Sequence, residues 1–217
     1  MRIAFVSQDS MQAFKEKEWQ ENADITLFGF NGVGEVSYEK ELKGESSFFE
    51  DGAKLSKRDK NIVVFGCITD TLGHKRKSVA VAENGRLLGV SDMLYPVDKE
   101  CSAGANLRAY ETKIGKMGVI VARDLYFPET VNALALCGCQ FIVCPFDKQV
   151  SFLERAYLCV YAHTCGLPIF LCGEGFGIIA SPSGQLVFSS PYSPICAVYE
   201  DKKEYHLIEK RTQRRLL

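Results

Sequence analysis

The strongest constraint on this chain is a set of short, uninterrupted apolar runs: RIAFV, ITLF, NIVVFGC, MGVIVA, CQFIVCP and PIFLC. Rich in Val, Ile and Phe and without polar alternation, they read as strands buried on both faces, which requires sheets covered on each side. Helical patterns separate several of them. Residues 10–22 carry Met11, Phe14 and Trp19 among charges, and 128–137 open with Pro128 and Glu129 and close before Gly138. Residues 151–165 set Phe152, Ala156, Cys159 and His163 at steps of three and four, a small apolar helix face meant for the sheet or for a second subunit. Two hairpins, KSVAVAENGRLLGVSDM turning at Asn84-Gly85 and FGIIASPSGQLVFSS turning at Pro182-Ser183-Gly184, argue against a purely parallel sheet. The expected class is α/β, with mixed sheets covered by helices. The polar stretch 39–60 is expected to hold a surface loop and a helix, and the basic tail EKRTQRRLL a solvated or subunit-bridging extension.

Composition narrows the partners. At 217 residues and 47% hydrophobic, the chain suits one core and therefore one domain spanning 1–217. The 26 basic and 27 acidic residues nearly cancel, which points away from nucleic acid and anionic membranes and toward a small or neutral partner. The apolar runs fall far short of a bilayer span and the first residues lack a secretory apolar segment, so a soluble cytoplasmic protein is expected. Nine cysteines, an odd number with several inside apolar runs, read as reduced and mostly buried thiols.

The stretch GVIVARDLYFPE, residues 118–129, has the layout of a strand that stops at a polar turn and feeds a helix. The longer run KIGKMGVIVARDLYFPETVNALALCGCQFIVCPFD resembles the nucleophile region of the nitrilase superfamily, the carbon-nitrogen hydrolases. Asp124, Phe127, Pro128, Glu129, Ala133-Leu134-Ala135, Gly138 and Pro145 fall on that family's pattern. RIAFVSQ resembles its first strand, NADITLFGF its second, KSVAVAENGRLLGVSDMLYP the hairpin before the catalytic lysine, and GFGIIASPSGQLVFSS its late hairpin, so the resemblance covers nearly the whole chain. It implies a four-layer αββα sandwich, usually paired into homodimers through helices.

The resemblance also implies a cysteine nucleophile, a glutamate base and a lysine that stabilises the oxyanion. Ala122 stands at the cysteine, Phe30 at the glutamate and Asp92 at the lysine, with Leu94 at a nearby histidine. Only Glu100 matches the family's supporting second glutamate. Because nucleophile, base and oxyanion donor act as a unit, this pattern predicts a pseudoenzyme. Its pocket is expected to be lined by Phe30, Ala122, Arg123 and Phe146, with Asp92 and Glu100 favouring a cationic or amide-bearing ligand.

Other residues carry competing readings. Cys144 is a core thiol or a relocated nucleophile, and Cys101 is the second candidate for that role. Activated water with Glu100 as base is a further hydrolytic route. Arg123 either pairs with a carboxylate to hold the turn or binds an anion. His163 is a hydrogen-bonded core or interface residue, or else a general base, whereas His74 and His206 read as surface. Cys137-Gly138-Cys139 is poorly spaced for one metal, and GEGFG at 173–177 leads into a strand, so it reads as a turn and not a phosphate loop. Neither a cofactor nor a metal is expected. A structural subunit that pairs with an active paralogue is the third functional expectation.

Overall fold

A computed structural model describes residues 1–17, 19 and 21–200; the basic tail and His206 lie outside the described residues. The apolar runs form two sheets. The first holds β1 (Arg2–Val6), β2 (Ile25–Phe28), β3 (Glu35–Ser37), β4 (Ile62–Thr71), β5 (His74–Glu83), β6 (Arg86–Asp92) and, after the second sheet in the chain, β13 (Ile195–Val198). Its order is β13-β1-β2-β4-β5-β6, with β3 also on β4. The second holds β7 (Ala109–Thr112), β8 (Gly115–Val119), β9 (Phe141–Gln149), β10 (Ile169–Glu174), β11 (Phe176–Ala180) and β12 (Leu186–Ser190), in the order β12-β11-β10-β9-β8-β7. Both are mixed: β1, β2 and β4 run parallel, as do β8, β9 and β10, and antiparallel hairpins complete each sheet. Asn84 and Gly85 both take positive φ (50° and 79°), the requirement of the tight hairpin turn their sequence announces.

Three clusters define four layers. Between the sheets, Ile3, Phe5, Leu27, Val64, Val79 and Val81 meet Val119, Val143, Phe170 and Ile179. Outside the first sheet lie α1 (Met11–Glu16), α2 (Tyr38–Lys43) and α3 (Phe48–Arg58), whose Met11, Phe14, Phe49 and Leu55 cover Phe28, Val63 and Phe65. Outside the second lie α4 (Pro128–Leu136) and α5 (Phe152–Cys165), whose Val131, Leu134, Leu158 and Ala162 cover Ile142, Cys144 and Leu171. This is the expected αββα sandwich. With wholly buried strand side chains at all three interfaces, burial of apolar area is the dominant stabilising contribution.

Several expectations change. The helix expected over 10–22 ends at Glu16, and Lys17 takes an extended conformation. On a continuous helix Trp19 would point about 140° away from Phe14; with the helix ended, its ring lies 6.1 Å from that of Phe14 and joins the same cluster. The stretch 39–60 forms two helices, separated by Gly44 in the left-handed conformation. On α5 the small apolar face, expected to meet the sheet or a second subunit, does not meet the sheet: Phe152 is 84% exposed and His163 is exposed, while Glu154, Leu158, Tyr161 and Ala162 face the sheet. Both faces have steps of three and four, and the inner one places Leu158 and Ala162 against the second sheet. Of the nine cysteines, all free, Cys67, Cys139, Cys144 and Cys172 are buried, fewer than expected.

Candidate functional site

The β8 ladder stops at Val119, three residues earlier than the apolar run suggests. Ile120 continues the contact by donating its N–H to the Val143 carbonyl at 3.0 Å. Ala122 then takes φ +48° and begins a 3₁₀ turn, Ala122–Tyr126, from which α4 departs. A non-glycine residue in the left-handed region is uncommon and costs on the order of 1 kcal/mol, so the surrounding structure must enforce it. Asp124 does part of this. Its buried carboxylate accepts from the N–H groups of Leu94 (2.8 Å) and Tyr95 (2.9 Å), and its carbonyl accepts from Thr130 Oγ1 (2.9 Å). Burial pushes the Asp124 pKa up to about 6 despite these two donors. The Tyr95 ring stacks on Phe127, centroids 4.1 Å apart, so the residues after β6 are clamped to the elbow.

Across the inter-sheet space, Phe30 opens a second 3₁₀ turn, Phe30–Gly32, just past β2. Its ring lies over Gly66 so closely that a Cβ there would come within 2.6 Å of Phe30 Cδ2. Phe30 packs against the cluster that contains Ala122, so two of the expected site positions do share one region.

Asp92 does not join them. Successive strand side chains alternate in face. Asp92 pairs across the ladder with Ser78, on the outer face that Ala80 shares with the helices. Its carboxylate accepts from Ser78 Oγ at 2.7 Å and lies 4.0 Å from Arg76. The neighbouring Met93 is the residue that enters the cluster with Ala122. Phe146 is displaced the same way: it packs with Tyr126 in the helix-covered cluster, its ring edge-on at 6.2 Å. Glu100 is exposed, and the bridge between Cys101 and Lys75 holds that stretch at the sheet's rim. Cys144 is wholly buried on the helix side, its thiol aimed at the Ala122 carbonyl at 3.9 Å; burial, then Asp124 and Asp147, hold its pKa well above the ordinary thiol value. It is a core thiol.

What gathers beside Ala122 is a charge cluster in which only Arg123 was expected. Arg123 Nη2 binds Asp98 at 2.8 and 3.1 Å and Asp147 at 3.4 Å. Lys77 Nζ donates to the same two carboxylates, through Oδ2 of each. The side chains of Arg123, Lys77 and Asp147 are 9%, 12% and 5% exposed, whereas Asp98, on the loop after β6, is 41% exposed. Asp147 Oδ1 is enclosed and has no hydrogen-bond partner among the described residues. Burial alone lowers the Lys77 pKa, but hydrogen bonds to Asp147 and Asp98 outweigh it and the net shift is upward. Asp98 is shifted downward, first by its bond to Lys77. Lys77, Arg123 and Asp98 are each shifted toward their charged forms. They can hold or orient a charged group, and none is set to abstract a proton.

Lys77, Asp98 and Asp147 were missed by sequence reasoning. For two of them a signal existed: Lys77 lies two residues before inward Val79, and Asp147 four after inward Val143. Asp98 lies in an aperiodic loop that offers none. Elsewhere, His163 Nδ1 lies 3.2 Å from the Pro182 carbonyl at the surface, and Gly175 (φ +75°) makes GEGFG the turn between β10 and β11. Among the described residues no three His, Cys, Asp or Glu side chains are grouped as a metal site, and no helix is long and apolar enough to cross a membrane.

No protein-family model matches the chain. A probable nitrilase of Schizosaccharomyces pombe is 27% identical over 124 residues, which are 50% of this chain and 46% of that protein, so the chain spans about half the length of the curated relative it matches. Among solved structures, Nit3 of Saccharomyces cerevisiae, a member of branch 10 of the nitrilase superfamily, superposes with a TM-score of 0.78 at 15% identity over 100% of this chain and 97% of Nit3. An amidase from Nesterenkonia sp. AN1 gives 0.72 at 16% identity, covering 97% of this chain and 96% of the amidase. A variant of that amidase in complex with butyramide gives 0.70 over 90% of this chain and 88% of the variant. These solved structures of nitrilase-superfamily proteins share the fold of this chain, and the curated relative is similar to it over about half its length.

Proposed function

We propose that this chain is a nitrilase-fold pseudoenzyme that binds a small molecule at the former catalytic end of the sandwich without hydrolysing it. The observation that carries this reading is Ala122: it holds the strained elbow conformation, at φ +48°, with a methyl group where the family's chemistry needs a thiol. Phe30 offers no base. Methionine, at Met93, sits in the cluster where a cation would have to face Ala122. Cys144 is a poor substitute nucleophile because it is buried on the far side of β9 and its thiol is held protonated.

The test is ammonia release from butyramide and butyronitrile by the purified protein. No release above a heat-denatured control is expected. Turnover that is lost on Cys144→Ser or Cys101→Ser, and not on a distant cysteine substitution, would restore the hydrolase reading.

A second reading concerns assembly, as a homodimer or beside an active paralogue. The outer face of α5 favours it: Phe152 is 84% and Val160 54% exposed, an apolar surface of the kind that pairing covers. In this reading the protein is cytoplasmic and 1–217 acts as one unit. Light scattering of Phe152→Glu against the parent checks it: a mass unchanged by the substitution removes α5 from any interface.

A further inference from the structure

The charge cluster has an asymmetry that a purely structural ion-pair network does not require. Lys77 and Arg123 project from the ordered strand and elbow and are nearly enclosed. Asp147, also enclosed, projects from β9. The fourth member, Asp98, arrives from an irregular loop and remains 41% exposed. That loop is held at its ends: Leu94 and Tyr95 N–H on Asp124, Ser102 N–H on the Lys75 carbonyl at 2.8 Å and Gly104 N–H on the Met93 carbonyl at 2.8 Å. Between them Asp98 inserts its carboxylate into a fork of two cations. Planar guanidinium and ammonium donors converging on one carboxylate are the usual means of recognising a carboxylate ligand.

We propose that Lys77 and Arg123 form a carboxylate-binding site that Asp98 occupies in the free protein, so that residues 94–104 are a strap that a small carboxylic acid displaces. The inference rests on the reading of this region as a ligand site and names the ligand's head group. It reverses the cationic preference expected from Asp92 and Glu100, neither of which reaches the fork. Asp147 supplies the second element. Its Oδ2 neutralises one of the two cations, leaving room for a single added negative charge, and its unpartnered Oδ1 offers an acceptor to a hydroxyl or N–H on the same ligand. A tethered occupant competes at high effective concentration, so the wild type is expected to show only a fraction of the site's intrinsic affinity.

The experiment uses three probes of one length, butyrate, butyramide and butylammonium, titrated calorimetrically into wild type, Asp98→Asn and Asp98→Asn/Arg123→Gln. Butyrate is expected to bind Asp98→Asn at least tenfold more tightly than wild type, and the double variant not measurably. In wild type, butyrate is expected to speed tryptic cleavage after Lys99 by freeing the strap. Should Asp98→Asn not fold, Asp98→Ser carries the same comparison, and the proteolysis arm needs no variant. Equal butyrate affinity in wild type and Asp98→Asn, retention in the double variant, or unchanged cleavage after Lys99 overturns the proposal. Binding of butylammonium or butyramide in preference to butyrate also overturns it while leaving the non-hydrolytic ligand site intact. Ammonia released from butyramide removes that broader reading instead.

Discussion

The thiol of Cys144 points at the carbonyl oxygen of Ala122, 3.9 Å away, so it donates to the elbow's backbone and does not face the inter-sheet space. A fully buried thiol with its pKa pushed well up reacts only when the fold opens. Differential alkylation followed by mass spectrometry is therefore expected to label exposed Cys137 first and to leave Cys144 and Cys172 unlabelled until denaturant is added. Native-state labelling of Cys144 at a rate near that of Cys137 would contradict its placement.

The contact between Phe30 and Gly66 tests how tightly the turn after β2 is packed. A methyl group at 66 would lie 2.6 Å from Phe30 Cδ2, so Gly66→Ala forces the ring out of its seat. The expected cost is about 1–3 kcal/mol in urea denaturation, the usual range for overpacking a filled core. Removing the ring relieves the clash, so Phe30→Ala/Gly66→Ala is expected to be more stable than the sum of the two single changes predicts, by about 1 kcal/mol or more. Additive effects would mean that the two residues do not touch.

The two carboxylates of the charge cluster differ in burial, and their removal is expected to differ accordingly. Asp147→Ala leaves Lys77 and Arg123, 12% and 9% exposed, without their enclosed partner and is expected to cost about 3–5 kcal/mol. Asp98→Ala removes a carboxylate that is 41% exposed and is expected to cost about 0–1 kcal/mol, as for a solvated ion pair. Chemical denaturation of the pair reads this directly, and a reversed order would place the strap, and not β9, at the centre of the cluster.

How far the sequence carried the interpretation depends on what kind of information each feature needs. Hairpins at Asn84-Gly85 and Pro182-Ser183-Gly184 were legible because turn geometry is local, and the buried strands because a continuous apolar run has few alternatives. The elbow was legible through the spacing of Asp124, Phe127 and Pro128, since those residues fix one another's backbone. The facing of side chains was harder to read. A displacement of one residue turns a strand's side chain to the opposite face, and that is the difference between Asp92 and Met93 and between Phe146 and Asp147. On α5, steps of three and four fit two faces, and only the docked sheet selects Leu158 and Tyr161. Asp98 was out of reach because a loop residue's partner is set by the tertiary fold alone.

Asp124 offers a prediction in pH. Its folded pKa is raised from 3.8 to about 6, mainly because burial disfavours the carboxylate. The fold therefore binds the proton more tightly than the unfolded chain does. The resulting stabilisation is complete below about pH 4 and is lost as pH rises through about 6. Asp124→Asn keeps a carbonyl to accept from Leu94 or Tyr95 and does not titrate. Subtracting its stability from that of the wild type cancels the other acids, and the difference is expected to fall by at most about 3 kcal/mol between pH 4 and pH 7. Urea denaturation of both proteins at intervals of one pH unit measures it. A flat difference would mean that the two backbone donors offset burial, and one that rises with pH that they outweigh it and hold Asp124 ionised at the elbow.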